Sequence, residues 1–193
     1  MPMDCQAVIF DMDGTLVEPL LDFEAIRREL RIRSDDGILE AIAEMDEAER
    51  CAAERRLLEH EVEAARRARP MPAAAGTVRA LQAAGLRTAV LTRNHREAMQ
   101  TVLARLSLTF DLAWSREDGP IKPEPDGILR ACSRLGVSPE RTACVGDFRY
   151  DIVAARAAGA VAVLLAPGER PDFADEADHV IRRLDELSSL LGC

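Results

Sequence analysis

Near its start the chain reads Val8-Ile9-Phe10-Asp11-Met12-Asp13-Gly14-Thr15-Leu16. The three leading apolar residues predict a buried strand, and Asp11 and Asp13 follow where that strand ends. Successive strand side chains point to opposite faces, so a bend after Asp11 is needed to aim both carboxylates at one point. Gly14 has the permissive backbone that such a bend requires. Two converging acids form a hard anionic site suited to Mg²⁺ and to phosphoryl chemistry, whereas an ordinary Asp-Gly turn is the alternative interpretation of this motif alone.

Composition limits the classes of protein that this chain can represent. Its 193 residues fit one domain, or one domain that carries a small inserted one. No stretch approaches the ~18 apolar residues that span a membrane. A formal net charge of −9 argues against nucleic acid or an anionic membrane as partner. The five cysteines show no metal-ligand or redox spacing, so we expect free thiols and a cytoplasmic location.

Short apolar segments alternate with helical ones along most of the chain. Strands are predicted near residues 7–11, 86–91, 110–114, 142–145 and 161–165. Helices are predicted near residues 73–84, 95–106, 126–135, 149–158 and 182–191. This alternation implies βαβ units, so we expect an α/β fold with a Rossmann-like parallel sheet flanked by helices.

Residues 18–71 depart from this alternation, because from about residue 22 to residue 69 the pattern is helical and rich in Ala, Glu, Arg and Leu. The helical pattern is broken near Ser34-Asp35-Asp36-Gly37 and again at Met45-Asp46, and Pro70-Met71-Pro72 closes it. We therefore expect a catalytic core of residues 1–17 and 72–193, and a small all-helical domain of residues 18–71 inserted after the first strand.

The charged side chains of this insert have mixed signs, which is typical of a solvated helix over residues 44–69. Four arginines in its first helix could contact an anionic substrate. The simpler interpretation is a basic helical face that Glu24 and Glu29 balance. The four are Arg27, Arg28, Arg31 and Arg33.

Polar side chains follow four successive strands of the predicted sheet, and ligands of parallel sheets bind at the carboxyl ends of strands. In order these are Asp11 with Asp13, Thr92, Lys122 in its loop, and Asp147 with Asp151. Each has a plainer alternative taken alone. Thr92 or Asn94 could cap the following helix, Lys122 could be a surface lysine, and Asp147 and Asp151 could be a helix cap and a first-turn acid.

As an ordered set, these motifs resemble the haloacid dehalogenase-like hydrolase superfamily, in its phosphatase branch of phosphoglycolate phosphatase and β-phosphoglucomutase-like members. The matching stretches are Asp11-Met12-Asp13-Gly14-Thr15, Val90-Leu91-Thr92-Arg93-Asn94, Lys122-Pro123-Glu124-Pro125-Asp126, and Gly146-Asp147 followed by Asp151. The resemblance covers the chain outside the insert. Phe148 departs from it, because the family often carries a small hydroxyl residue there.

The resemblance implies a role for each residue. Asp11 would be the nucleophile that forms an aspartyl-phosphate, and Asp13 the general acid–base. Mg²⁺ would be held by Asp11, the backbone carbonyl of Asp13, and Asp147, while Asp151 would orient Lys122 or a metal-bound water. The phosphate oxygens would be held by Thr92, Arg93, Asn94 and Lys122. The insert would be the family's helical cap over the site.

The expected function is therefore hydrolysis of a small phosphorylated metabolite with Mg²⁺ as cofactor. A dehalogenase of the same superfamily does not need an acid two residues after the nucleophile, so Asp13 favours phosphate chemistry. A phosphomutase of the β-phosphoglucomutase type keeps all these residues and stays an alternative. A phosphoryl-accepting signalling protein is a further alternative, but such a receiver carries its aspartate on a middle strand and has no helical insert.

Overall fold

The computed structural model describes residues 4–19, 21–33 and 37–192. Their strands form one sheet, and every neighbouring pair is parallel. The strands are β1 (Ala7–Phe10), β2 (Arg87–Leu91), β3 (Leu112–Trp114), β4 (Thr142–Gly146), β5 (Val161–Leu165) and β6 (His179–Ile181). They lie in the order β3-β2-β1-β4-β5-β6, which places β1 between β2 and β4. The predicted α/β fold with a Rossmann-like parallel sheet is confirmed.

The described residues also form eight α-helices and two short 3₁₀ helices. The α-helices are α1 (Phe23–Leu30), α2 (Ile38–Ala43), α3 (Glu47–Arg67), α4 (Ala74–Ala83), α5 (Arg96–Leu106), α6 (Asp126–Leu135), α7 (Arg149–Ala157) and α8 (Glu186–Leu191). The 3₁₀ helices span Pro139–Arg141 and Asp172–Glu176. No helix among the described residues is both long and apolar enough to cross a membrane.

Both faces of the sheet are buried, as the continuous apolar strands require. Side chains of β1 alternate between two apolar clusters, with Val8 and Phe10 in one and Ile9 in the other. Helices α4, α5 and α8 and the end of α3 cover the first cluster, whereas α6 and α7 cover the second. The carboxyl ends of β1, β2 and β4 therefore meet at one edge of a fully covered sheet.

Helices α1 to α3 occupy the stretch predicted to be an insert. A small apolar cluster joins them, made of Ile26, Ile38, Ile42, Ala53 and Leu57. Farther along α3, its buried residues pack into the main core instead, as Val62 and Ala65 show. A single helix thus passes from the apolar centre of the insert into that of the sheet.

The ends of these insert helices follow their sequence signals. Asp46 caps α3 by accepting a hydrogen bond from Glu49 N at 2.9 Å, at the predicted Met45-Asp46 boundary. Asp22 caps α1 in the same way, through Ala25 N at 2.9 Å. Of the other predicted break, Gly37 precedes α2, while Ser34–Asp36 lie outside the described residues.

The sequence predicted that Glu24 and Glu29 pair with arginines of their own helix, and only Glu24 does so among the contacts of the described residues. Arg27 contacts Glu24 at 3.5 Å, within α1. Glu29 instead turns to α3, where its carboxylate binds Arg56 and lies 2.7 Å from His60 Nε2. Glu29 therefore joins two helices of the insert rather than balancing the basic face of its own helix.

Candidate active site

The turn after β1 is held together by its own backbone. Asp11 N donates to Val145 O at 2.8 Å, which extends the pairing of β1 with β4 by one residue. Beyond it the chain folds back tightly, and the N–H groups of Leu16 and Val17 both donate to Met12 O, at 2.9 and 3.0 Å. Gly14 has φ +84°, a conformation that side chains with a β-carbon adopt at a cost. The predicted bend after Asp11 is present, and Gly14 makes it.

Lys122 is the centre of the polar cluster at this edge of the sheet. Its side chain is almost fully buried, and Nζ donates to Asp11 Oδ1 and to Asp151 Oδ1, each at 2.5 Å. Asp151 is fixed in turn, because its Oδ2 accepts from Phe148 N at 3.0 Å. The alternative of a solvated surface lysine is therefore wrong. A buried ammonium held by two carboxylates has one orientation, toward Asp11.

Asp147 completes a group of three acids. One carboxylate oxygen each from Asp11, Asp147 and Asp151 lies within 4.8 Å of the other two. The Thr15 hydroxyl donates to Asp147 Oδ1 at 3.4 Å. At two glycines of this cluster a side chain would collide with an acid: a β-carbon on Gly14 would lie 2.1 Å from Asp147 Oδ2, and one on Gly146 would lie 2.2 Å from Asp151 Cγ. Hard carboxylate oxygens at this spacing could hold a metal ion.

Burial and mutual repulsion dominate the electrostatics of this cluster. Burial raises the pKa of Asp11 to about 7, although Lys122 opposes the shift, and the negative charges of Asp151 and Asp13 add to it. Burial and the Asp11 carboxylate raise the pKa of Asp147 to about 8. For Lys122, burial disfavours the charged form, but Asp11 and Asp151 outweigh it and hold its pKa above the ordinary value. The acids thus concentrate more negative charge than one lysine offsets, which a divalent cation would relieve.

The loop after β2 carries the predicted Thr92, Arg93 and Asn94. Thr92 is buried, and its Oγ1 accepts the N–H of Asn94 at 3.1 Å. Neither Thr92 nor Asn94 caps the helix that follows, because the N-cap of α5 is His95, whose Nδ1 accepts from Glu97 N at 3.2 Å. The helix-cap alternative also fails for Asp147, since the N-cap of α7 is Phe148.

The Arg93 side chain joins this loop to three other parts of the molecule. Its guanidinium donates to the backbone carbonyl of Lys122 and to both carboxylate oxygens of Glu40 on α2, at 2.7 and 2.9 Å. It also lies over the ring of Tyr150, 4.6 Å from the ring centroid. The geometry therefore connects Arg93 to Lys122, as a shared site requires, and to the insert, which the sequence did not indicate.

Phe148 lies beside this cluster with its side chain 53% exposed. Its ring meets Tyr150 edge-on at 5.2 Å and Phe173 at 6.2 Å between centroids. The backbone of Phe148 adjoins the acidic cluster, because Phe148 follows Asp147 and its N–H donates to Asp151, while its ring packs against Tyr150 and Phe173.

Sequence reasoning missed a buried ion pair behind the Thr92 loop. Glu61 of α3 is only 3% exposed, and its Oε1 lies 2.5 Å from Arg116 Nη1. Glu61 stands in a charge-rich stretch that predicted a solvated helix. One signal was available: Glu61 is four residues from both Leu57 and Ala65, so it shares the apolar face of α3.

The structure thus brings Asp11, Lys122, Asp147 and Asp151 into direct contact or within one metal-sized space. Asp13 lies in the tight turn two residues after Asp11. Among the described cysteines, Cys5, Cys51, Cys132 and Cys144 are thiols that form no disulfide. Cys193 lies outside the described residues.

Comparison with known proteins agrees with this geometry. Residues 5–159 match the model of the family described as haloacid dehalogenase-like hydrolase. A haloacid dehalogenase-like hydrolase domain-containing protein of Arabidopsis thaliana is 29% identical over 95% of this chain and 84% of its own length. Phosphoglycolate phosphatase of Escherichia coli K12 is 33% identical over 63% of this chain and 50% of its own. The crystal structure of a hydrolase from Pseudomonas syringae shares the fold, with a TM-score of 0.82 at 20% identity over 96% of this chain and 97% of that one.

Proposed function

Since this chain belongs to the haloacid dehalogenase-like hydrolases, we propose that it is a Mg²⁺-dependent phosphomonoester hydrolase. One observation carries the proposal. The Asp11 carboxylate is held by Lys122 Nζ at 2.5 Å, within reach of a divalent ion shared with Asp147. This is the arrangement that a carboxylate nucleophile needs, because it fixes the attacking oxygen and offsets the charge of an incoming phosphate.

In the proposed reaction Asp11 attacks phosphorus and forms an aspartyl-phosphate, which water then hydrolyses. Asp13 protonates the departing alcohol oxygen and later removes a proton from the hydrolytic water. Lys122 offsets the charge on Asp11 and on the transferring group. Mg²⁺, when bound by Asp11, Asp147 and the backbone carbonyl of Asp13, supplies further charge neutralisation at the phosphate. Asp151 keeps Lys122 in place, as its 2.5 Å contact with Nζ supports.

The loop after β2 is proposed to hold the phosphate oxygens. Thr92 follows β2 directly, and β2 is the immediate neighbour of β1 in the sheet, so the loop lies beside Asp11. The guanidinium of Arg93 reaches the carbonyl of Lys122, which supports one shared binding site. The Thr92 hydroxyl, the backbone N–H of Arg93 and the side-chain amide of Asn94, together with Lys122, are the donors proposed to bind the phosphate.

The substrate is proposed to be a small phosphorylated metabolite. The relation to phosphoglycolate phosphatase supports this class, because that enzyme's name specifies a small phosphate ester. The net charge of −9 also disfavours a polyanionic macromolecule as substrate.

Helices α1 to α3 are proposed to act as a cap that contacts the leaving group, within an insert of residues 18–71. Their own apolar cluster supports a separately packed unit, and the contact between Glu40 and Arg93 supports a position of α2 beside the loop after β2. A cap in this position excludes water from the reacting groups and selects among leaving groups.

Replacement of the nucleophile tests the proposal. Asp11→Asn keeps the shape of the side chain and removes its charge, so turnover of phosphate esters in Mg²⁺ should be lost while the circular dichroism spectrum is kept. Asp172→Asn, at an exposed site in a 3₁₀ helix, is the matched control and should retain wild-type turnover. Rapid quenching of the wild type with a ³²P-labelled ester should trap label on Asp11. Near-normal hydrolysis by Asp11→Asn would contradict the covalent route.

A further inference from the structure

Glu61 and Arg116 form a buried ion pair that the proposed reaction does not use. Their atoms Oε1 and Nη1 lie 2.5 Å apart, and the Glu61 side chain is almost inaccessible to solvent. Burial raises the pKa of Glu61, while Arg116 and the His95 N–H oppose that shift. Apolar residues at such a position usually stabilise a protein as well as an ion pair does. A pair at this position therefore suggests a task other than stability.

The contacts of this pair converge on the loop proposed to bind phosphate. Glu61 Oε2 accepts the backbone N–H of His95 at 3.0 Å. Arg116 Nη1 donates to the carbonyl of Arg93 at 3.1 Å, and the backbone N–H of Arg116 donates to the carbonyl of Asn94 at 3.2 Å. Three successive residues of the loop, 93 to 95, are thus each held by one hydrogen bond with Glu61 or Arg116.

These bonds constrain the peptide planes on which phosphate binding depends. The Arg93 carbonyl belongs to the Arg93–Asn94 peptide unit, and the Asn94 carbonyl and His95 N–H belong to the next unit. Because each unit is planar, these bonds fix the orientation of both. Since hydrogen-bond strength falls steeply with angle, a loop free to rotate would hold a phosphate less well. The Glu61 carboxylate can accept from Arg116 and His95 at once, which a neutral amide does more weakly.

We propose that Glu61 is a positioning residue for phosphate binding, which acts through Arg116 and the His95 N–H to hold residues 93–95 in their binding conformation. The inference rests on the proposed function, because it assumes that this loop binds the phosphate group. Glu61 lies on α3, which packs beside α5. The inference therefore gives this helix of the insert a role in holding residues 93–95.

The direct test is Glu61→Gln, assayed with a phosphate ester and with inorganic phosphate as competitive inhibitor, in Mg²⁺. Weakening one charge-assisted contact should raise both the inhibition constant of inorganic phosphate and KM about tenfold, with kcat changed less than threefold. Mg²⁺ affinity, measured by calorimetry, should stay at the wild-type value. Glu63→Gln is the matched control, because Glu63 lies on the same helix at an exposed site and should change neither constant.

A purely structural role predicts a different result in the double variant Glu61→Gln with Arg116→Met. Removing both buried charges should recover thermal stability that Glu61→Gln loses, since no charge is left unpaired. The inference requires that phosphate binding stay weak in this stable protein. If the inhibition constant returns to the wild-type value along with the stability, Glu61 acts only on the fold and the inference is wrong. The double variant also carries the test if Glu61→Gln alone does not fold.

Failure of this inference is distinguishable from failure of the proposed function. A wild-type protein that hydrolyses no phosphate ester and binds no inorganic phosphate would overturn the proposed function. An active wild type whose Glu61→Gln variant binds phosphate equally well would overturn the positioning role alone.

Discussion

Gly14 and Asp147 lie in direct contact at the carboxyl edge of the sheet. They are 133 positions apart in the chain, so no local turn joins them. A β-carbon on Gly14 would come within 2.1 Å of Asp147 Oδ2, well inside van der Waals contact. The φ of +84° at Gly14 disfavours residues with a side chain for a second, independent reason. The turn after β1 and the acid after β4 therefore fit together only through a residue without a side chain.

Gly14→Ala should consequently weaken both the fold and Mg²⁺ binding. Backbone strain at positive φ costs about 1–3 kcal/mol of unfolding free energy, and the displaced Asp147 should lower metal affinity. Gly76→Ala is the matched control, because no atom lies within 4 Å of its β-carbon and it stands in α4. That change should stabilise the protein by about 0.5–1 kcal/mol. Denaturant unfolding and Mg²⁺ titration measure the two effects, and unaltered metal affinity in Gly14→Ala would contradict the prediction.

Asp13→Asn should lower the rate by ~10²–10⁴ for esters of ordinary alcohols, which is the usual contribution of a general acid–base. The loss should be smaller for formation of the intermediate from p-nitrophenyl phosphate, whose leaving group needs little protonation. Single-turnover kinetics with both esters separate that step from later hydrolysis. Equal losses for the two esters would assign Asp13 another role.

Removal of divalent metal should abolish phosphatase activity, and added Mg²⁺ should restore it. The reason is that the unscreened carboxylates of Asp11 and Asp147 repel an incoming phosphate. Ca²⁺ should bind in competition with Mg²⁺ and support little turnover, since its larger and looser coordination shell places the phosphate poorly. The measurement is activity after chelation, with elemental analysis to verify that no metal remains. Full activity in verified metal-free protein would refute metal assistance.

Asp111 makes the stability of the folded protein depend on pH in the acid range. The backbone N–H of Thr88, and then the guanidinium of Arg87, hold the pKa of Asp111 below its ordinary value. A carboxyl whose pKa is lowered by folding stabilises the protein above its unfolded pKa of about 3.9, and that stability is lost as the pH falls through the lower, folded value.

Asp111→Asn should therefore destabilise the protein by about 1 kcal/mol near neutral pH, a typical value for losing hydrogen bonds of this kind. The difference between wild type and variant should begin to shrink below about pH 4, where the unfolded carboxyl is protonated, and shrink further as the pH approaches the lower pKa of the folded state. Unfolding curves from pH 7 to pH 3 give the comparison. A difference that stays constant over that range would show that the charge of Asp111 has no such effect.

Phe148→Ser should change which esters are preferred without changing how phosphate is held. Phe148 directly follows Asp147 and its ring is exposed, so we expect the ring to offer an apolar surface to a leaving group. Its loss should lower kcat/KM for aryl phosphates relative to phosphoglycolate by about three- to tenfold, the scale expected for burying part of an aromatic ring. Leu129→Ser removes a similarly exposed side chain from α6 and should leave the ratio unchanged. An unchanged ratio in Phe148→Ser itself would remove Phe148 from the leaving-group site.

The strands that could be predicted from the sequence are those marked by a run of apolar, buried residues. Strands β1, β2, β4 and β5 are apolar runs between helical segments, and all four appear within a residue or two of the predicted bounds. β6 was missed, because His179–Ile181 is only three residues long and follows an acidic stretch. Its strand conformation depends on pairing with β5, where Leu164 is opposite Val180, and such pairing leaves no trace in local periodicity.

Some residues of the candidate site could likewise be predicted from the sequence, and others could not. Asp11, Lys122 and Asp147 could be named in advance because each follows a strand whose carboxyl end faces the same edge. Glu61 and Glu40 could not, since acids on a charge-rich helix look alike until the packing of that helix is known. Their partners Arg116 and Arg93 lie more than 50 positions away in the chain, at separations that no motif spans.

Helix α3 sets a limit on how this protein could be rebuilt. Its 21 residues extend about 30 Å, with Ala53 and Leu57 packed in the insert and Val62 and Ala65 packed under the sheet. A graft that exchanged the whole of residues 18–71 for a foreign lid would remove part of the host's own core. A junction placed between Leu57 and Glu61 would instead take the insert helices from the donor and keep the end of α3, which packs in the core, from this protein. The unit that can be exchanged is therefore shorter than residues 18–71.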